Sequence, residues 1–290
     1  MRKFKLRSRL KIPETHPRYA SLMRREKLVA GVEAGITSRQ GLIAHGRGEA
    51  FDYLIGERSL DSARRATEAA ASLLLAAKKP VVSVNGNVAA LAAAEVVELG
   101  GLLNAPLEVN LFYRTEERVR KIKTLLEREG AERVLGDKAD ARIPEIEHER
   151  AKTDREGIYS ADVVLVPLED GDRCEELVKM GKKVVAIDLN PLSRTSQQAT
   201  VSIVDDLERA LKNLINLISA VKNQKNQKKR RQELKKRGQE LKRRGQGEEE
   251  EGLSVVLGGY DNKANLREAV KEIVKRLKED AEGVQAVPGA

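Results

Sequence analysis

The stretch Val81-Val82-Ser83-Val84-Asn85-Gly86-Asn87-Val88-Ala89-Ala90-Leu91 decides the fold. Its β-branched opening, Val81–Val84, suits a short strand. A polar Asn-Gly-Asn turn follows, and Val88–Leu99 then reads as an Ala-rich helix stopped by Gly100 and Gly101. Leu107–Phe112 is a second strand. Thr115–Glu129 is a second helix, with Thr115 and Arg118 in its first turn. The alternation resumes downstream. Strands are expected at Ala161–Val166, Lys183–Ile187 and Val201–Val204, and helices at Arg173–Met180 and from Asp205 or Asp206 to about Val221. Strands this short and apolar are buried on both faces. Strand–helix alternation implies right-handed crossovers and parallel pairing. The expected fold is α/β, a Rossmann-like, mostly parallel sheet flanked by helices, with an N-terminal helical segment.

Upstream, Met1–Lys11 is a basic arm, and Tyr19–Ala34 has apolar residues at helical spacing before a stop at Gly35. Gly41–Gly56 suits neither a simple helix nor a strand. Ser59 or Asp61 can cap an Ala- and Leu-rich helix that ends near Lys79 and Pro80. Downstream, residues 222–252 form a charged low-complexity insertion. A last helix, Asp261–Lys278, and a frayed tail lie within residues 253–290, packing on the same domain. The catalytic α/β domain is thus expected at residues 12–221.

With aromatics at 3% and hydrophobic residues at 40%, the core must rest on Val, Leu, Ile and Ala. Dense Glu, Lys and Arg with few Cys and Met is a thermophile-like pattern. Cys174 is alone, which excludes an intrachain disulfide and argues against a Cys-based zinc site. Met1–Leu10 lacks the apolar stretch of a signal peptide. No apolar run reaches the ~20 residues of a spanning helix, so no membrane partner is expected and the cytoplasm is the expected location.

The net charge of +9 is unevenly spread: Lys222–Gly252 holds 12 Lys or Arg against 6 Glu, and the rest holds 42 against 39. The body is near balance, and nucleic acid is not its expected partner. The insertion repeats Glu-Leu-Lys-Lys-Arg-Gly-Gln with one Leu per seven, too few for a coiled-coil seam. It reads as a solvated helix or disordered segment, or as a basic handle for RNA or an acidic partner.

In an open parallel sheet, ligands bind beyond the carboxyl ends of the strands. Polar residues follow every expected strand: Asn85 and Asn87; Asn110, Tyr113 and Arg114; Glu169, Asp170 and Asp172; Asp188, Asn190, Ser193, Arg194 and Thr195; Asp205 and Asp206. Asn85-Gly86-Asn87 is either a turn with a helix cap or a nest for phosphate. Asp188 at a strand end suits ribose hydroxyls, and Arg194 between Ser193 and Thr195 suits phosphate oxygens. Glu169, Asp170 and Asp172 suit magnesium, a substrate ammonium, or a solvated turn. The segment His45-Gly46-Arg47-Gly48-Glu49 is the least scaffold-like. Its glycines let backbone approach a ligand, Arg47 offers a donor fork, and His45 is either structural or a proton carrier. No G-x-x-x-x-G-K-[ST], G-x-G-x-x-G or H-E-x-x-H occurs, which disfavours a P-loop protein, a dehydrogenase and a zinc protease.

These segments resemble a known family. His16-Pro-Arg18-Tyr19, Arg25-Glu-Lys27, Gly41–Tyr53, Val84–Leu91, Glu108–Arg114, His148-Glu-Arg150, Gly157–Asp162, Val166–Asp172, Asp188–Thr195 and Tyr260-Asp-Asn-Lys263 look like archaeal 4-phosphopantoate–β-alanine ligases, also called phosphopantothenate synthetases. The resemblance runs from about Ile12 to Val221 and resumes near Tyr260. It implies a homodimer that uses ATP with magnesium to join 4-phosphopantoate and β-alanine in coenzyme A biosynthesis. It further implies that Arg25, Arg47, Asp188, Leu189, Asn190, Ser193, Arg194, Thr195, Asp205 and Asp206 contact ATP. Arg47 and His45 are the catalytic candidates. Asn85, Asn87, Asn110 and Arg114 are candidates for the other substrates, and Glu169, Asp170 and Asp172 for the metal. The rival readings are another adenylate-forming α/β enzyme and an RNA-binding protein using residues 222–244.

Overall fold

The computed structural model describes residues 12–239 and 259–285. The basic arm at residues 1–11, residues 240–258 of and beyond the charged insertion, and the tail at 286–290 lie outside the described residues.

Three helices open the chain: α1 (Tyr19–Glu33), α2 (Arg39–Ile55) and α3 (Asp61–Ala76). Then β1 (Pro80–Val84), α4 (Gly86–Leu103), β2 (Leu107–Val109), α5 (Glu116–Arg128) and β3 (Val134–Leu135) form one wound half. A small antiparallel pair, β4 (Ala141–Arg142) and β5 (Lys152–Thr153), leads to the second half. That half is β6 (Val163–Pro167), α6 (Gly171–Lys179), β7 (Lys183–Ile187), α7 (Arg194–Gln198) and β8 (Val201–Ile203). Helices α8 (Leu207–Gln239) and α9 (Asn262–Gln285) complete the described chain.

The main sheet is six-stranded, in the order β3-β2-β1-β6-β7-β8, and every pair is parallel. Chain direction across the sheet reverses between β1 and β6, where Val82 pairs with both Leu107 and Leu165. Side chains alternate along each strand. Val82, Val84, Leu165, Val185 and Ile187 therefore join the large core beneath α3, α4 and α8, whereas Val81, Val164, Val166, Val184 and Ala186 meet Cys174 and Leu177 of α6. Both faces are covered, as the uniformly apolar strands require. Cys174 is buried, and burial pushes its thiol up to about 12, so it behaves as a small apolar residue.

Several expected boundaries move. Gly41–Gly56 is not irregular but belongs to α2. Ser38 caps that helix, accepting from the Gly41 N–H at 3.2 Å, and Gly56 ends it in the left-handed region at φ 82°. In the sequence its glycines, each costing about 0.5–1 kcal/mol relative to Ala, hide the helix. So does the lack of an apolar stripe, since only Asp52 and Ile55 are buried. Helix α4 runs through Gly100 and Gly101 and stops at left-handed Asn104, φ 51°. Gly100 is a packing choice rather than a stop, because a Cβ there would lie 2.9 Å from a Leu107 methyl. Neither Ser59 nor Asp61 caps α3: the cap position is Leu60, Ser59 donates to Asp205, and Asp61 sits in the first turn, where the helix dipole favours it. The second strand ends at Val109 because Asn110 turns away to donate to the carbonyls of Arg150 and Lys152, at 3.3 and 2.8 Å.

Helix α8 does not end near Val221 but carries the start of the insertion to Gln239. The first turn of α9 is tied down by Asn262, which accepts from the Ser202 N–H at 2.8 Å and donates to the Ser196 and Ala199 carbonyls. Helix α4 is 18 residues long and apolar enough by composition to cross a membrane, contrary to expectation, but half of it is buried between the sheet and its neighbours.

Candidate active site

A cleft of about 690 Å³ opens beyond the carboxyl ends of β2, β1, β6 and β7, at the reversal of strand order. This is where an open parallel sheet leaves a crevice. Helix α2 forms the opposite wall, presenting His45, Arg47, Gly48 and Phe51.

Asn85 builds the floor. Its Oδ1 accepts from the Asn87 and Val88 N–H groups at 3.0 and 3.1 Å, capping α4. Its Nδ2 reaches across the crevice to the Pro167 and Leu168 carbonyls at 3.2 and 2.9 Å. Asn87 accepts from Thr37 and donates to the Gly41 carbonyl at 2.9 Å, fastening α2 to α4. The Asn-Gly-Asn segment is thus a turn, a cap and a strut, and the two amides that would cradle phosphate are already satisfied. Gly86 is required by close approach: a Cβ would stand 2.7 Å from the Ile36 carbonyl oxygen.

The β7 end is equally ordered. Asp188 accepts from the Asn190 N–H at 3.0 Å and the Ser193 hydroxyl at 2.5 Å, and burial raises its carboxyl pKa against those bonds. Ser193 also caps α7, accepting from Ser196 N–H at 3.0 Å. Thr195 donates to the Glu169 carbonyl at 2.8 Å, locking the β7 loop to the end of β6. Leu189 and Asn190 line the cleft beside them. Arg194 lines it too, but its guanidinium pairs with Glu175 on the solvent side.

On α2, Arg47 is exposed to the cleft, and no carboxylate among the described residues pairs with it. His45 is half-buried. Burial holds its pKa below the ordinary imidazole value, outweighing nearby Glu49, which acts the other way.

Twelve of the sequence candidates meet in this cleft: His45, Arg47, Asn85, Asn87, Glu169, Asp170, and the six from Asp188, Leu189, Asn190, Ser193, Arg194 and Thr195. The others lie elsewhere, each for a visible reason. Arg25 pairs with Glu49 at 3.0 Å and so steadies α2 from behind. Asp205 is buried against Ser59 and Arg209, and Asp206 caps α8 and pairs with Arg24 at 3.1 Å. Both are consumed by a charge network that also neutralises Asp52. Asn110 is a buried strut, and Arg114 donates to the Gly136 carbonyl at 2.8 Å and to Glu116.

The acidic cluster does not fit a magnesium cage. Glu169 is clamped between Arg150 and Arg173, Asp170 lies 2.7 Å from Arg150 Nε, and Asp172 lies 2.8 Å from His148 Nε2. Each carboxylate already has a cationic or imidazole partner. Among the described residues no cluster of three His, Cys, Asp or Glu is arranged for a metal.

Polar cleft residues that escaped the sequence reading of candidates include Arg118, Arg150 and Ser38. Arg118 carried a signal, since a cation in the first turn of a helix opposes the dipole. Phe112 and Tyr113 also line the cleft, 43% and 50% exposed in a chain poor in aromatics.

Fold and site together define a Rossmann-like α/β protein with a polar ligand cleft at its topological switch point. The sequence profile of phosphopantothenate/pantothenate synthetase matches residues 62–244. A 4-phosphopantoate–β-alanine ligase of Methanosarcina mazei is 54% identical over 267 residues, covering 92% of this chain and 96% of the relative. One of Thermococcus kodakarensis is 50% identical over 272 residues, covering 93% and 95%. One of Thermococcus onnurineus is 59% identical over 202 residues, covering 69% and 77%. The chain belongs to the phosphopantothenate/pantothenate synthetase family, and it is an enzyme, a ligase that forms a C–N bond.

Proposed function

We propose that this ligase condenses 4-phosphopantoate with β-alanine, converting ATP to AMP and pyrophosphate, in the cytoplasmic route to coenzyme A. The observation that carries this reading is the uncompensated Arg47 guanidinium facing ordered strand ends across the switch-point cleft.

A carboxylate needs activation before an amine can displace its oxygen. In the proposed sequence, a carboxylate oxygen of 4-phosphopantoate attacks the α-phosphorus of ATP, and the bond to the bridging oxygen breaks to release pyrophosphate. The β-alanine amine then attacks the acyl carbon, AMP leaves, and the amine proton passes to a base. Negative charge gathers on the phosphates during the first step. Arg47 would oppose it with a fork of fixed donors, and Arg194 would join on leaving Glu175. Asp188, Leu189 and Asn190 would hold the nucleoside, the carboxylate using its remaining lone pairs for ribose hydroxyls. Magnesium would arrive on the triphosphate rather than in a cage of protein carboxylates. The reading includes a homodimer, and exposed Ile43 and Leu192 beside the cleft are apolar surface that a second copy would cover.

Purified protein mixed with ATP, 4-phosphopantoate and β-alanine is expected to release AMP only when all three are present. AMP release that ignores β-alanine, with no phosphopantothenate formed, would overturn the reading.

His45 is the proposed proton acceptor. Its lowered pKa keeps the imidazole neutral to a lower pH than free imidazole, so it can accept a proton throughout the neutral range. Turnover is therefore expected to hold through neutrality and to fall on the acid side only below the ordinary imidazole range. His45→Gln is expected to lower kcat and abolish that acid limb. An unchanged limb in the variant would assign the base elsewhere.

A further inference from the structure

Among the described residues lining the cleft, Arg118 is a half-buried cation that no carboxylate balances. Its Nη1 donates to the Tyr113 carbonyl and its Nη2 to the Ile36 carbonyl at 3.2 Å. Its Nε is buried with no partner. Burial lowers its pKa, and no neighbouring charge opposes that. The two glutamates of the same helical turn are engaged elsewhere, Glu116 with Arg114 and Glu117 with Lys121.

Arg118 also stands at the positive end of α5, where the dipole disfavours it. A partly desolvated cation at a helix N-terminus is an expensive arrangement on its own. An anion entering the cleft would remove both penalties, meeting the guanidinium and the helix end together.

Position says which anion. Arg118 lies beyond β2 and Asp188 beyond β7, and in the order β2-β1-β6-β7 three interstrand spacings, about 14 Å in all, separate those ends. A nucleoside held at the β7 end leaves the β2 end for the far, non-reacting group of the acid. The reacting carboxylate then sits between them, over β1 and β6. We propose that Arg118 binds the phosphate of the acid substrate and is the residue that separates a phosphorylated hydroxy acid from its unphosphorylated counterpart. The proposal rests on the ligase reading above and goes beyond it. Membership of a family described by both phosphopantothenate and pantothenate does not fix that choice.

The test uses the full chain with Arg118→Gln and Arg118→Lys. Thermal unfolding is followed while 4-phosphopantoate or pantoate is titrated without ATP. The wild type is expected to be stabilised by the phosphorylated acid and not by pantoate, Arg118→Gln to lose that response, and Arg118→Lys to keep part of it. In turnover, Arg118→Gln is expected to lower kcat/KM for 4-phosphopantoate about 100-fold, chiefly through KM, while the KM for ATP moves less than about threefold. A wild type unmoved by 4-phosphopantoate, or an Arg118→Gln variant still stabilised by it, overturns the proposal. A rise in KM for ATP matching that for the acid overturns it too, since it would mean that Arg118 merely ties the Ile36 and Tyr113 loops. If the wild type releases no AMP but its response to the phosphorylated acid still depends on Arg118, the ligase reading falls and the phosphate site stands.

Discussion

Arg47→Ala is expected to lower turnover on the order of 100-fold or more while leaving the unfolding temperature unchanged. The two halves of that expectation have separate causes. Arg47 sits on the exposed face of α2 and has no carboxylate partner among the described residues, so removing it strands no buried charge. The caps of α2, at Ser38 and Gly56, are untouched. The neighbouring glycines give the guanidinium room: Gly46 faces open space, and Gly48 has a Leu189 methyl at ordinary contact distance, 3.6 Å from a notional Cβ. Its removal is felt only when charge gathers on the phosphates, which is where a positioned donor acts. Arg47→Lys is expected to recover little, because a point charge does not reproduce two parallel N–H bonds to phosphate oxygens. The measurement is AMP release under saturating substrates, paired with a thermal unfolding curve. Turnover near the wild-type value in Arg47→Ala would remove this residue from the mechanism.

How far the sequence disclosed this site depends on what each residue does. The doubly wound sheet was legible because its strands are apolar on both faces, and Val81 and Val82 send that pattern into opposite cores. The β7 loop was legible because polar residues cluster after a strand end. Helix α2 was not: it lines a cleft instead of a core, and its glycines look like punctuation. Asp205 and Asp206 looked like site residues for the same reason as Asp188, a carboxylate following a strand. Only three dimensions reveal that Arg24 and Arg209, from helices on either side, claim them. Arg150 was invisible as a partner of Glu169, since it comes from 19 residues upstream through a two-stranded excursion, whereas Arg173 stands only four residues away. Long-range charge pairing leaves no periodicity to read.

That pairing yields the second large expectation, for Glu169→Gln. The Glu169 side chain is 1% exposed and lies between the guanidiniums of Arg150 and Arg173, whose side chains are 5% and 0% exposed. Glutamine fills the same volume and can still accept hydrogen bonds, so the change isolates charge. Two buried cations would then face each other with only Asp170 nearby, itself 40% exposed and bound to Arg150 alone. Arg173 has nothing in reserve, because its Nε and Nη2 already lack partners and its remaining contact is Ser83 at 3.3 Å. Breaking one partner out of a buried ion cluster costs about 3–5 kcal/mol. For a chain of this size that corresponds to a fall in Tm on the order of 10 °C. The loss would also loosen the cleft, since the Glu169 carbonyl anchors Thr195 and the Asp170–Gly171 turn begins α6. A metal-ligand role predicts otherwise: an apoprotein whose Tm is unmoved or raised by removing a negative charge, together with a higher magnesium requirement in turnover. Thermal unfolding of the metal-free variant therefore decides between the two. A Tm equal to or above that of the wild type would mean that the Arg150–Glu169–Arg173 cluster does not hold the floor of the cleft together.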